Sequence, residues 1–433
     1  MKTNSSSTLV RFLVLVFVIN LFGFKINLID FGGSGIRLDD LLFIPVVAII
    51  LISLKEARIH SFFLGFFVFL LLSMISVILG GFANRISVIE GMFYWLRNIQ
   101  YVSFFFIGYI VATEINLDRI FKIYLFYALF IVALQAYGLM PTFSLFVDSG
   151  RAIANTGGPY ELAVIASLLA FFFWYRRAHK IYIILAVTLI FLTQSRITTS
   201  AFVIIFWLIC LNFRRKLISF LLVFSITLLI FLLSTNSFIS VTNINIFDRF
   251  SDFFDSSTSD FVKMLLNSRH SFRDTWEYRD WAFVNFQEEL LSKDGDISSF
   301  IRFTRWAALY HSTTACGIEC VLLGLGPSFG SSAVDGNYVR FFIEFGIFGV
   351  LSFIFGLWRV VKKVRNPVVF SYFLILVISA VAIDIFVASK PMCLFWFLCG
   401  VYIKRQHVDR KNMFVPLGQH VTSNSVSLIG RIV

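Results

Sequence analysis

The sequence predicts an all-α fold: a polytopic integral membrane protein with about 12 transmembrane helices and one large periplasmic loop. Three observations support this prediction. Hydrophobic residues make up 58% of the 433 residues and charged residues only 14%, so the chain cannot face water without exposing large apolar patches. Apolar stretches of roughly 17 to 25 residues, the length that crosses a bilayer, recur along the whole chain. Short Lys and Arg clusters occupy every second loop between them.

The predicted spans follow from these apolar stretches. They cover residues 9–26, 38–54, 60–80, 93–113, 119–140, 159–175, 180–195, 197–213, 217–235, 336–357, 367–387 and 390–404. Spans seven and eight are joined at Gln194–Arg196 and the last two around Lys390, so each pair is predicted to be a helical hairpin with almost no outer loop. The stretch after Met1–Thr8 lacks a small-residue cleavage site, and we expect an uncleaved first helix.

The basic residues orient the chain in the membrane. There are 37 Lys and Arg against 25 Asp and Glu, giving a net charge of +12, which on one soluble surface would suggest nucleic acid. Here the basic residues lie in alternate loops, as in Arg176-Arg177 and Lys362-Lys363. This positive-inside pattern places both termini in the cytoplasm and argues against a nucleic-acid partner.

The same rule divides the chain into four regions. Residues 1–235 hold helices 1–9, 236–335 form the large periplasmic loop, 336–404 hold helices 10–12, and 405–433 form a cytoplasmic tail. Loops of this length are commonly functional, and this one mixes charged and aromatic residues in a way that predicts amphipathic helices over the membrane domain. We therefore expect the chemistry on the outer face.

The cysteines and carboxylates indicate no metal site and no cofactor. Cys210, Cys393 and Cys399 lie in apolar spans, where a small hydrophobic role is expected. Cys316 and Cys320 are four residues apart in the large loop, so a local disulfide is possible, although helical spacing disfavours a well-formed one. No His set accompanies them for zinc, and no Asp or Glu cluster has metal-site spacing.

Arginine at the outer ends of helices runs against the charge pattern and needs a local reason. Four arginines are in this position: Arg151, Arg196, Arg302 and Arg305. Arg302 and Arg305 are one helical turn apart, and two guanidinium groups on one face suit the oxygens of a phosphate. The alternatives are an interfacial anchor at Arg196 and salt bridges within the loop for Arg302 and Arg305.

A glycine-rich segment, Leu322–Ser332, precedes the tenth predicted span. Asp335 follows where the chain re-enters the membrane, and the span continues as Glu-x-Gly-x-x-Gly from Glu344 to Gly349. Upstream stand an outer-loop arginine between small residues at Gly150–Ala152, Ser-Arg at 195–196, and an arginine four residues before Trp306. In this order, over about residues 148 to 356, the motifs resemble the superfamily of O-antigen polymerases (Wzy) and O-antigen ligases.

The resemblance implies a glycosyltransferase at the periplasmic face of a bacterial inner membrane. Its donor and acceptor would be undecaprenyl-pyrophosphate-linked oligosaccharides, and a chain-length regulator protein would be a further partner. The leaving pyrophosphate needs positive charge rather than a proton. We therefore expect Arg151, Arg196 and Arg302 to bind the pyrophosphate, with Arg305 assisting. Glu161, Asp335 and His311 are candidates for the base, and Asp335 joins the arginines as a predicted catalytic residue.

Two alternatives to a polymerase remain. O-antigen ligases typically carry a His after the Gly-x-Gly-Pro segment, whereas this chain has Asp335-Gly336-Asn337-Tyr338, which favours a polymerase. The turn Asn155–Tyr160 also departs from the Asn-Pro-Asn-like turn of the superfamily. A flippase or other transporter would tend to have charged mid-membrane residues and two similar halves; here the spans are nearly free of charge, with Asp384 an exception near the outer end.

Overall fold

The structure, a computed structural model, describes residues 3–25, 27–30, 35–37, 63–141, 151–211, 270–285, 297–330 and 334–413. Most of these residues are helical, which confirms the all-α class. The helices are α1 (Thr3–Phe22), α2 (Leu64–Phe82), α3 (Val88–Val111), α4 (Leu117–Ala136), α5 (Pro159–Tyr175), α6 (Lys180–Leu192), α7 (Arg196–Leu211), α8 (Thr275–Asp280), α9 (Ile297–Cys316), α10 (Ile318–Leu323), α11 (Asn337–Val364), α12 (Pro367–Ser379) and α13 (Ser389–Met413). A π-helical segment, Trp281–Asn285, continues α8.

A short antiparallel hairpin departs from the all-helical prediction. Its strands are β1 (Asn27–Asp30) and β2 (Gly35–Arg37), with Ile29 paired to Ile36. The strands have four and three residues. Hydropathy averaged over a window of about 19 residues cannot resolve segments of this length.

Every predicted span that falls on described residues overlaps a helix, and the agreement is closest at α5. Pro159 occupies the first turn of α5 and Glu161 adds an acidic side chain there, two features that favour a helix start. The tight hairpin is also confirmed, because α6 ends at Leu192 and α7 begins at Arg196. The spans predicted at 38–54 and 217–235 lie outside the described residues.

The hairpin predicted around Lys390 is wrong. Helix α12 ends at Ser379 and α13 begins at Ser389, so residues 380–388 form a loop instead of the last turns of a helix. The backbone N–H of Asn337 donates to the Ala380 carbonyl at 2.8 Å, and the Phe386 N–H donates to the Asn337 side chain at 2.6 Å. Asn337, at the start of α11, thus supplies hydrogen-bond partners to backbone groups of this loop. Helix α13 also extends to Met413, beyond the predicted end of the membrane region.

Two described helices, α2 and α11, are long and apolar enough to cross a membrane. Five shorter apolar segments, of 10 to 17 residues, lie within α1, α5, α6, α7 and α12. Large apolar side chains are exposed along α2 and α11, among them Leu64, Leu71, Leu351 and Phe355. The count of about 12 spans stays a prediction.

The helix bundle has two chemically distinct ends. At one end, which we call the basic end, Arg405 donates to the Ala112 and Ile115 carbonyls at 3.1 and 3.0 Å, and Gln406 donates to the Val364 carbonyl. A groove there is lined by residues 113–118 together with Arg176, Ala178 and Arg405. The opposite end, the loop end, collects residues 23–25, 83–87, 151–158, 193–195, 274–279, 302–306, 324–330, 334–336 and 380–389.

Two hydrophobic cores hold these parts together. The larger one fills the bundle, and in it α3 and α13 approach so closely that a methyl group at Gly108 or Gly400 would meet the backbone of the other helix. The smaller core lies under α8–α10 and includes Tyr278, Phe300 and Phe329. It fixes α8–α10 to the ends of α2, α3 and α11 that face the loop end, as expected for amphipathic helices lying over a helical domain.

Candidate active site

Arg302 and Asp335 form an ion pair at the loop end. The Nε of Arg302, on α9, donates to the Asp335 carboxylate at 3.2 Å, and the two side chains are 26% and 51% exposed. Within the part of the chain that the structure describes, the terminal nitrogens of Arg302 make no hydrogen bond. Arg302 therefore presents an oriented guanidinium whose outer edge is available to an anion.

The backbone of the segment that carries Asp335 is held on several sides. The indole N–H of Trp306 donates to the Asp335 carbonyl, and Phe303 packs edge-on against the indole ring. Gly336 has φ +104° and lies against Trp306, so that a methyl group there would be 2.8 Å from the indole. A side chain at Gly336 would disfavour this conformation and displace the indole. The half-exposed carboxylate of Asp335 thus stands on a firmly held backbone.

Arg151 and Arg196 come together at the α6–α7 hairpin. Arg151 donates from Nε to the Thr193 carbonyl at 3.0 Å and from a terminal nitrogen to the Gln194 carbonyl at 3.3 Å. Arg196 is the first residue of α7, directly after this turn. Gln194 has φ +52°, a left-handed conformation that is uncommon outside glycine. The guanidinium of Arg151 satisfies carbonyls at the end of α6.

The start of the loop 380–388 lies between the two pairs of predicted residues. The Ser379 hydroxyl, at the end of α12 directly before the loop, lies 3.5 Å from the Thr198 hydroxyl of α7. The next carbonyl, that of Ala380, accepts the Asn337 N–H, two residues after Asp335. The structure therefore brings Arg151 and Arg196 to one side of this loop and Arg302 and Asp335 to the other.

Arg305 has different partners from Arg302, although both lie on α9. It donates to the Ala282 carbonyl at 2.8 Å, and its guanidinium lies 5.6 Å from the centre of the Phe283 ring. These contacts tie α9 to the π-helical segment after α8. A clamp formed by Arg302 and Arg305 on one phosphate stays a prediction.

Helix α11 is broken at Gly346, and the glycine-rich segment packs into the break. Gly346 has φ +68° and ψ −177°. A methyl group there would collide with the backbone of Leu322, and one at Gly324 would collide with the backbone of Glu344. The carbonyls freed by the break are satisfied, because the Leu325 N–H donates to Ile343 at 2.7 Å and the Ser76 hydroxyl to Glu344 at 2.6 Å. The Gly-x-Gly-Pro and Glu-x-Gly motifs thus form one structural unit.

A buried charge cluster near Asp335 was missed by the sequence analysis. Arg340 donates to the Asp384 carboxylate from two nitrogens, at 2.9 and 2.6 Å, and to the Glu344 carboxylate at 3.2 Å. It also donates to the Val334 carbonyl at 3.3 Å. Arg340 and Glu344 stand four residues apart in an otherwise apolar span, which is a signal that the sequence contains.

The phenol of Tyr278 interacts electrostatically both with Asp335 and with the Arg340–Asp384 pair. It is fully buried on α8, and burial raises its pKa while the charges of Arg305 and Arg340 oppose that rise. The negative charges of Asp335 and Asp384 raise the pKa of Tyr278 further. Burial likewise raises the pKa of Asp384, in the loop after α12, to about 6, with Arg340 opposing. Residues from α8, α9, α11 and both flanking loops therefore share one electrostatic environment.

Glu161 and His311, the other candidates for a base, occupy different surroundings. One oxygen of Glu161 bonds to Lys25 at 2.6 Å and the other accepts the Gly157 N–H at 3.2 Å. Glu161 is buried, so its contacts are those of a structural ion pair at the start of α5. His311 is partly exposed on α9 beside Tyr310.

Cys316 and Cys320 are disulfide-bonded, a local bridge that their spacing left possible. Helix α9 ends at Cys316, Gly317 takes φ +117°, and α10 begins at Ile318. The two cysteines therefore do not have the spacing of one continuous helix. With Glu319 they form a compact group of ligand atoms, but the bonded sulfurs leave only the carboxylate for a cation.

The comparisons with known proteins give no relative. No protein-family model, no curated protein and no solved structure matches this chain.

Proposed function

We propose that the protein is an O-antigen polymerase of the Wzy type, a metal-independent glycosyltransferase of the bacterial inner membrane with both termini in the cytoplasm. It joins undecaprenyl-pyrophosphate-linked oligosaccharide repeats at the periplasmic face. One observation carries the proposal: Arg302 presents its terminal nitrogens beside the half-exposed Asp335, at the end of the bundle where Arg151 and Arg196 also lie.

The distribution of charge and apolar surface supports a membrane location. Exposed apolar side chains on α2 and α11 would be costly in water and are ordinary in lipid. Arg176, Arg405 and their neighbours stand at one end of the bundle and the candidate site stands at the other. This separation agrees with a cytoplasmic basic end and a periplasmic loop end.

The disulfide supports the same orientation. Disulfides persist in oxidising compartments such as the periplasm and are rare in the cytosol. Cys316–Cys320 belongs to the loop end, where Arg85 contacts Cys320 at 2.8 Å. A periplasmic loop end is thus supported by redox chemistry, independently of the charge pattern.

In the proposed reaction, a hydroxyl oxygen of the acceptor repeat bonds to the anomeric carbon of the donor. The bond between that carbon and the pyrophosphate oxygen breaks, and its electron pair leaves with undecaprenyl pyrophosphate. Arg302 stabilises the developing charge through its outer nitrogens, with Arg151 and Arg196 completing the positive surface and Arg305 assisting. The hydroxyl proton passes to the Asp335 carboxylate, whose other role is to orient Arg302.

The test is the substitution Arg302→Ala. Removing one oriented donor from a developing oxyanion costs on the order of 100-fold or more in rate. We expect cells with the variant to carry mostly single repeats, and the purified variant to lengthen lipid-linked repeats about 100-fold more slowly. Chain length is read on polysaccharide gels and the reaction by mass spectrometry.

Arg273→Ala is the matched control, because Arg273 is also an exposed arginine of the large loop but its described contact is through the backbone N–H. We expect this variant to retain normal chain length. Normal chain length and yield in both Arg302→Ala and Arg196→Ala would contradict the proposal. Omitting lipid A-core from the assay separates a polymerase, which still lengthens the repeats, from a ligase, which needs that acceptor.

Transport of the same lipid-linked repeats is a second candidate. Broken helices and buried charges within the bundle are features of carriers, and α11 has both in the break at Gly346 and in Arg340 with Glu344. Inverted vesicles that contain the purified protein and fluorescent lipid-linked repeats test it. Movement of the lipid without chain growth would favour the transporter.

A further inference from the structure

Arg340 binds the backbone segment on which Asp335 stands. One of its nitrogens donates to the carbonyl of Val334, the residue directly before Asp335. Its own backbone N–H donates to the Gly336 carbonyl at 3.0 Å, directly after Asp335. The bond to Gly336 is the first backbone bond of α11 and does not depend on the side chain, so the guanidinium of Arg340 holds this segment through Val334.

Arg340 is in turn fixed by two carboxylates that come from different elements. Asp384, in the loop after α12, takes two of its nitrogens, and Glu344, one turn along α11, takes another. The guanidinium is thus held by carboxylates from two sides, and its orientation toward Val334 follows from that arrangement.

Stability alone does not explain this cluster. Burying an arginine with two carboxylates is expensive, and well-packed apolar residues of the same size often give an equally stable fold. Such a cluster is better suited to fixing the direction of hydrogen bonds than to adding stability. The bonds that it directs here end on the segment that carries Asp335.

We propose that Arg340, oriented by Asp384 and Glu344, is a positioning residue for glycosyl transfer: it sets Asp335 and, through Asp335, Arg302. The proposal rests on the proposed function and adds to it a residue that touches neither substrate. Among the described residues, the charged and titratable groups around Arg340 include Glu344 on the same helix, Asp384 in the adjoining loop, and the phenols of Tyr94 and Tyr278.

The test is a double-mutant cycle between Arg340→Lys and Asp335→Asn. Lysine keeps a positive charge between the carboxylates but cannot donate in several directions from a planar group. Because small displacements at a reacting centre cost up to about 100-fold, we expect Arg340→Lys to lower kcat by roughly 10- to 100-fold. In the Asp335→Asn background the same change should lower kcat less than about 2-fold, since the carboxylate that Arg340 positions has already been removed.

The rate is measured as lengthening of lipid-linked repeats isolated from a strain that lacks this protein, per mole of folded enzyme. Folded enzyme is quantified by thermal unfolding in detergent, and Asp384→Asn provides a second way to loosen Arg340 without removing its charge. Asp118→Asn, which removes a surface ion pair at the basic end, is the control.

Three outcomes are distinguishable. Equal effects of Arg340→Lys in both backgrounds would overturn the positioning role, as would a loss of stability with unchanged kcat per folded molecule. A lower kcat for Arg340→Lys and Asp384→Asn, with non-additivity toward Asp335→Asn, supports it. If the unmodified protein does not lengthen lipid-linked repeats, the proposed function has failed, whatever the cycle shows.

Discussion

Replacing Gly346 with Ala should destabilise the protein more than the same change at an open glycine. Gly346 breaks α11 at φ +68° and ψ −177°, a combination that residues with a side chain rarely adopt. The added methyl group would also collide with the backbone of Leu322 and Leu323. Neither group can move aside as the end of a flexible side chain does.

The magnitude follows from these two contributions. A residue held in a sparsely populated backbone region costs about 1–3 kcal/mol. Overpacking that forces a backbone shift costs about 1–3 kcal/mol more. We therefore expect Gly346→Ala to lower the free energy of unfolding by about 2–6 kcal/mol.

Gly138 is the matched control. It has the same φ of +68°, after the end of α4, but an added methyl group would meet no atom within 4 Å. Gly138→Ala should therefore cost only the conformational contribution, about 1–2 kcal/mol. Unfolding of both variants in mixed detergent micelles, with increasing SDS, measures the difference. Costs within about 0.5 kcal/mol of each other would refute the claim that backbone crowding defines this break.

Three further predictions concern other contacts. Glu161→Gln should lower the free energy of unfolding by about 3–5 kcal/mol, because it removes the negative charge of a buried carboxylate that pairs with the partly buried Lys25; a cost no larger than that of Asp118→Asn, in an exposed pair, would contradict this. Burial raises the pKa of Asp384 from 3.8 to about 6, so the folded state binds this proton more tightly than the unfolded state does. The free energy of unfolding should then fall as the pH rises from about 4 to about 6, and Asp384→Asn should remove that part of the slope; an unchanged slope in thermal unfolding would count against it. Cys316, the partly exposed partner of the disulfide, should react in spheroplasts with a membrane-impermeant maleimide only after an impermeant reductant is added, and labelling without the reductant would argue against a disulfide in an oxidising compartment.

Helix positions were predictable where hydropathy and a start signal coincide. Pro159 after two glycines marks the first turn of α5, and the predicted and observed bounds agree. The end of α12 was not predictable, because the sequence after Ser379 stays apolar up to Val387 apart from Asp384. Its end is decided by Asn337, which bonds to the loop from a distant part of the chain.

The candidate site was predictable only in part. Arg302 and Asp335 were identified from their place at helix ends, and the structure pairs them. Arg340 and Glu344 could have been identified as two charges one turn apart in an apolar span. The participation of Asp384 in their cluster could not have been identified, because Asp384 lies 44 positions after Arg340 and the chain between them includes a whole helix and its turns.

The end of α1 is held by residues that are synthesised long after it. The carbonyls of Leu21 and Gly23 accept hydrogen bonds from Asn155 and from Lys390, the latter 369 positions beyond Leu21. Phe17 of α1 also stacks on Phe397 of α13. At about 5–20 residues per second, a ribosome needs on the order of 20 to 70 s to pass from one partner to the other. During that time α1 lacks the last residues that it packs against, so a chain truncated before Lys390 should leave the carbonyl of Gly23 and the ring of Phe17 without these partners and should be more susceptible to proteolysis.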